Sequence, residues 1–346
     1  MRPLNKPIRA YGFDTGGVPG LRNLITDVPG VTVGHCTIDT DRCKTGVTVI
    51  LPCQDNMFRR KLTAAAFVHN GFGKTAGIPQ IDELGTLETP IALTNTLNVG
   101  KVHDAIVGWM LDLCRQDGTP IRSVNPVVGE TNDGVLSDIA LRPVEERHVR
   151  AAIESASADF AQGDVGAGKG TVCFGMKGGI GSASRLVTVG EKTYTLGVLV
   201  QSNFGATANF TLCGRDLGPG LARRIEAMEN DQGSIMMVVA TDLPLSSRQL
   251  RRVIRRCGVG LSRTGSYMGH GSGDVMLGFT TANRIEPEGD TQTVTILREG
   301  LLSAVFTACA QATEEAILNS LACADTVTGY DGKTKRSLTE LYLSTL

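Results

Sequence analysis

Gly233-Ser234-Ile235-Met236-Met237-Val238-Val239-Ala240 is apolar at every position from Ile235 to Ala240. Successive side chains of a strand point to opposite faces, so this run buries both faces and needs a covering layer on each side. Residues 47–51, 91–94, 195–200, 275–281 and 291–297 read as further strands, several of them also apolar on both faces. Helical periods lie between them. Val102, Ala105, Ile106, Trp109, Met110 and Leu113 recur at the spacing of one buried helix face, with His103 off the stripe. A second helix starts from Ser246 or Ser247 as N-cap, turns Leu250, Val253, Ile254 and Cys257 inward and ends near Gly258. Residues 301–321, rich in alanine and apolar on more than one side, form a third helix buried between layers. Doubly covered strands interleaved with helices define a layered α/β protein.

The chain has 346 residues, 41% of them hydrophobic, enough for one large core, and no repeat or low-complexity linker divides it. Residues 1–346 are therefore read as a single domain. A formal charge of −1 gives no electrostatic case for nucleic acid or an anionic membrane. The arginine-rich face of the second helix (Arg248, Arg251, Arg252, Arg255, Arg256) reads as a solvated or subunit-contact surface. Nine cysteines, odd in number and without CxxC spacing, read as reduced thiols of a cytoplasmic protein. The first twenty residues lack an apolar signal-peptide region, and no later stretch reads as a membrane span.

The chemistry centres on Ser234. Cleavage before it creates a residue carrying a hydroxyl and a free α-amine, whose ordinary pKa of about 7.7–8.0 suits it to take the hydroxyl proton. Gly233 supplies a backbone free of Cβ clashes for attack on the preceding carbonyl. Alone, the pair also fits a turn entering a buried strand. In Gly271-Ser272-Gly273-Asp274 the carboxylate can polarise Ser272 and, through it, a second hydroxyl or an amine; a triad with His270 is discounted, because neighbouring side chains point apart. Glu130, after an apolar run, is either a turn carboxylate or the partner of a substrate ammonium. Asn203 either shapes a turn or donates to an oxyanion. Gly163 and Gly168-Lys169 fit part of a P-loop, but Gly170 stands where a hydroxyl must reach Mg²⁺, and residues 151–161 look helical where that motif needs a strand. Residues 171–174 read as a strand entered through glycines, and Lys177 to Arg185 as a glycine-rich hairpin loop.

Together, Asn23 to His35, Pro126 to Thr131, Gly166-Ala167-Gly168, Val198 to Asn203, Gly233 to Asp242 and Gly271 to Asp274 resemble, in order and spacing, the self-processing serine aminopeptidases that include the L-aminopeptidase/D-esterase and β-peptidyl aminopeptidases. The resemblance covers nearly the whole chain. It implies a four-layer α/β/β/α sandwich and cleavage between Gly233 and Ser234 into chains 1–233 and 234–346 that stay associated. It assigns Ser234 as nucleophile, Ser272 and Asp274 as its supporting partners, Asn203 as oxyanion donor, and Glu130, with Asn132 nearby, as substrate-binding. It implies no metal or other cofactor, short peptides, amides or esters as substrates, and a homo-oligomer of processed heterodimers. Some relatives have glutamate in place of Asp274, and characterised members have tyrosine where Asn132 aligns. Ornithine acetyltransferases, with a threonine nucleophile, share the architecture and give the alternative of acyl transfer.

Overall fold

The structure is a computed structural model that describes residues 5–346; residues 1–4 of the N-terminal segment lie outside it. In chain order the main strands are β1 (Thr32–Asp39), β2 (Lys44–Leu51), β3 (Lys61–Gly71), β4 (Thr86–Leu87), β5 (Ile91–Asn95), β6 (Val127–Thr131), β7 (Gly179–Val189), β8 (Lys192–Asn203), β9 (Gly233–Thr241) and β10 (Ser272–Ile285). One sheet has the order β1-β2-β5-β6 and the other β4-β3-β10-β9-β8-β7. Helices α1 (Val99–Asp117) and α2 (Glu146–Glu154) pack on the first sheet. The second is covered by α3 (Ser247–Ile254) and α5 (Leu302–Ala322), with α4 (Cys257–Arg263) against α5. These are the four layers expected.

Strand β9 explains why its sequence has no polar alternation. Met236, Val238 and Ala240 join the core between the sheets, while Ile235, Met237 and Val239 join the core beneath the helices. Full burial of each larger side chain contributes about 1.5–3 kcal/mol. Strand β9 is antiparallel to β8 and parallel to β10, so its first residues emerge at one end of the sheet between two hydrogen-bonded neighbours.

Several local expectations change. Residues 291–297 form no strand. Asn283 Nδ2 instead donates to Thr295 O at 2.9 Å, and Leu297 N to Pro244 O at 2.9 Å. Lys177 to Arg185 is no loop but the entry into β7, made thin where α5 crosses it. Residues 171–174 hold only the two-residue strand Val172–Cys173, and α2 stops at Glu154. Gly258 lies in the first turn of α4. Ser246 is the cap of α3, its Oγ accepting from Gln249 N at 3.2 Å. The arginine face of α3 is engaged within the chain: Arg248 and Arg252 pair with Glu299, Arg251 with Asp82, and Arg255 stacks over Phe67.

By length and composition the segment Glu299–Ala322 is apolar enough to cross a membrane, contrary to the sequence reading; it is the core helix over β7 and β8, and most of its apolar stretch is buried in the protein. All nine cysteines are unpaired. Lys169 Nζ sits 2.9 Å from both Asp39 and Asp164, an internal ion pair rather than a phosphate cradle.

Candidate active site

Ser234 enters β9 opposite Asn203 of β8 and Gly273 of β10. Gly233 before it has φ +108°, and a Cβ there would overlap the Asn203 carbonyl oxygen, so this residue must be glycine on two counts. Ser234 Oγ has no hydrogen-bond partner among the described residues and lies on the wall of a cavity of about 530 Å³. Glu130, Asn132, Asn203 and Gly233 share that wall.

Glu130, next to last in β6, is 2% exposed; Oε1 accepts from Lys74 N at 2.9 Å and Oε2 from Thr96 Oγ1. The open-turn alternative is thereby removed: this is a buried carboxylate aimed by two donors from two loops. A Cβ built on Gly73 would stand 3.7 Å from Glu130 Oε1 and 3.6 Å from Gly273 Cα, which brings the carboxylate to the β10 flank of Ser234. Asn203 Oδ1 accepts from Val172 N at 2.8 Å, so its amide NH₂ is the group left to donate. Asn132 is exposed and caps its own turn, Oδ1 accepting from Gly134 N at 2.9 Å.

Ser272 and Asp274 lie behind the cavity rather than on its wall, each 0% exposed. Alternation from Val275 and Met276, which point to the inter-sheet and helix-side cores respectively, turns this pair to the helix side of the sheet, beside the Gly233–Ser234 peptide. Ser272 Oγ donates to Asp274 Oδ1 at 2.7 Å, and the buried Oδ2 has no partner among the described residues. Burial pushes the Asp274 carboxyl up to about 6; the Ser272 hydrogen bond opposes the shift and the nearby charge of Asp231 adds to it. His270 is exposed beside Phe72 and makes no triad.

Sequence reasoning missed the residues that aim these groups. Lys74 and Thr96 hold Glu130. Asn70 Nδ2 bonds the carbonyls of Gly269 and Ser272, fixing the loop before β10. Asp231 Oδ2 accepts from Ser266 Oγ at 2.7 Å and Tyr267 N at 2.8 Å, tying the segment before Gly233 to the loop after α4. Lys177, fully buried, donates to the carbonyls of Gly168, Thr171 and Gly178 at 2.7–3.0 Å and so shapes the loop whose Val172 N holds Asn203. Burial pushes its ammonium down to about 7. A lysine amid glycines carries no sequence signal for this role.

A serine at the head of a central strand between two sheets, an amide donor on one flank and a buried carboxylate on the other, defines a serine amidohydrolase of the N-terminal-nucleophile kind. The chain belongs to peptidase family S58, whose model matches residues 23–335. It is 38% identical over 356 residues to the beta-peptidyl aminopeptidase BapA of Sphingosinicella microcystinivorans, covering 95% of this chain and 89% of that protein. The PH0078 protein from Pyrococcus horikoshii OT3 superposes with TM-score 0.93 and 44% identity over 98% of each chain. The L-aminopeptidase D-Ala-esterase/amidase of Ochrobactrum anthropi, described as a prototype for the serine aminopeptidases and a variant of the Ntn hydrolase fold, superposes with TM-score 0.90 and 33% identity over 96% of this chain and 95% of its own. The protein is accordingly a serine aminopeptidase activated by autoproteolysis, and the acyltransferase alternative is not favoured.

Proposed function

We propose that Gly233–Ser234 is the bond cut in activation and that Ser234 is then the nucleophile releasing N-terminal residues from short peptides, amides or esters. The observation that carries this is the single cavity in which Ser234 stands between Glu130 and Asn203. In processing, Ser234 Oγ attacks the Gly233 carbonyl carbon and the C–N bond breaks, the hydroxyl proton passing to the departing amine. Water hydrolyses the resulting ester to leave Gly233 as a carboxylate and Ser234 with a free amine. The buried Ser272–Asp274 pair borders that amine and orients it.

In turnover the substrate ammonium pairs with Glu130, which restricts attack to the first carbonyl, and Asn203 Nδ2 donates to the oxyanion. The relative BapA is named for β-peptidyl substrates, and we extend a preference for β-amino-acid N-termini to this chain. Intact-mass measurement of the purified protein is expected to show a new N-terminus at Ser234, with Ser234→Ala remaining one chain and losing hydrolysis of an aminoacyl anilide. An uncleaved wild type together with a fully active Ser234→Ala variant overturns the reading.

A further inference from the structure

The cavity contains a second charged group with no part in the mechanism above. Lys335 lines it with a side chain 8% exposed, and its Nζ lies 3.1 Å from Glu226 Oε2, on a side chain 74% exposed. Its position relative to Ser234 follows from sheet order. Strand β9 has β10 on one side and β8 on the other. Glu130 belongs to the β10 flank, through Gly73 and Gly273. Lys335 belongs to the β8 flank: Asn203 pairs with Ser234 and holds Val172 N, while Lys177, which organises that same loop, donates its N–H to Arg336 O at 2.9 Å. Carboxylate and ammonium thus lie on opposite sides of the nucleophile. Lys74, the other lysine of the cavity, belongs with Glu130, to which its N–H donates.

A peptide whose ammonium meets Glu130 and whose first carbonyl lies over Ser234 must cross β9 towards β8. Its leaving residue then faces Val172 and Met228, with Lys335 among them. We propose that Lys335 binds the C-terminal carboxylate of that leaving residue, so that the preferred substrates are zwitterionic dipeptides rather than peptide amides or longer chains. The inference rests on the aminopeptidase reading of the same site. The Lys335 ammonium is already withdrawn from water, and its partner Glu226 is largely solvated, so a substrate carboxylate replaces a weak surface contact by a buried charge-assisted one.

The test compares one dipeptide bearing a free C-terminus, the same dipeptide as its C-terminal amide, and the corresponding aminoacyl anilide. Lys335→Met, of similar length and without charge, is expected to raise KM for the free acid about tenfold or more while leaving the amide and anilide unchanged. Glu226→Gln, a change at an exposed position, is expected to lower KM for the free acid alone, and it decides the matter if Lys335→Met does not fold. Equal shifts for acid and amide, or none for either, overturn the Lys335 assignment. A wild type that cleaves none of the three overturns the aminopeptidase reading instead.

Discussion

At the scale of single residues, the site depends on groups held where they would not rest unaided. Gly233 occupies left-handed backbone against the Asn203 carbonyl, and Asp274 is an enclosed carboxyl with one oxygen unpartnered among the described residues. Before cleavage there is no α-amine at Ser234, and Asp274 stands beside the bond on the neighbouring strand. Its carboxyl, pushed up to about 6 by burial, accepts from Ser272 best when ionised. The rate of self-cleavage, followed by denaturing electrophoresis from pH 4.5 to 8, is therefore expected to rise through about pH 6 in wild type. Asp274→Asn is expected to cleave slowly and without that limb. For stability the sign is opposite. The folded value lies above the unfolded one of about 3.9, so folding is favoured by this group below that pH and loses its contribution as pH rises through about 6. Thermal melts are expected to show wild type losing stability between pH 4 and pH 7 more steeply than the neutral variant.

At the scale of elements, the decisive contact is that of β7 with α5. A Cβ on Gly181 would overlap the Ala316 carbonyl oxygen and come within 2.8 Å of Ser320 Cβ, so the helix lies on the strand only because that side chain is absent. Gly181→Ala is expected to destabilise the protein by about 1–3 kcal/mol in urea melts, with kcat of the folded fraction retained, since the overlap lies on the helix side of the sheet. The same contact explains what sequence conveyed and what it did not. Runs such as Ile235 to Ala240 declare themselves because burial on both faces leaves only apolar residues. The glycines of β7 carry no such mark, because their purpose is set by a helix more than a hundred residues away. Conversely, residues 291–297 alternate like a strand but are held by single bonds, from Asn283 to Thr295 and from Leu297 to Pro244, rather than by a ladder. Ser234, Asn203 and Glu130, each also readable as a turn residue, are singled out by the family resemblance and line one cavity. Lys74 acts through its own backbone N–H, Asn70 and Lys177 through side chains that meet backbone carbonyls, and Thr96 through a hydroxyl that meets Glu130 from a distant turn, none of which leaves a local pattern.

At the scale of the whole molecule, the proposed cut divides the chain but not the sheet. Strands β1 to β8 and helices α1 and α2 precede Ser234; β9 from Ser234 onward, β10 and helices α3 to α5 follow it. In the second sheet the order β4-β3-β10-β9-β8-β7 therefore places the two strands of the later fragment between two pairs from the earlier one. Both seams are hydrogen-bonded ladders, β9 on β8 without interruption and β10 on β3 with two register shifts, and α5 lies across β7 and β8 on the other fragment. Separation would expose both hydrophobic cores at once, since residues of each fragment contribute to each. Breaking one peptide bond removes none of these contacts, and it frees the Ser234 amine at the one end of β9 that opens to the cavity. The processed protein is thus expected to give two bands on a denaturing gel but to elute with both fragments in one peak on size exclusion, and to unfold in a single transition in which both are lost together. Fragments that part in native buffer, or that melt separately, would show the sheet order to be wrong, because no interleaved sheet lets one half leave while the other remains folded.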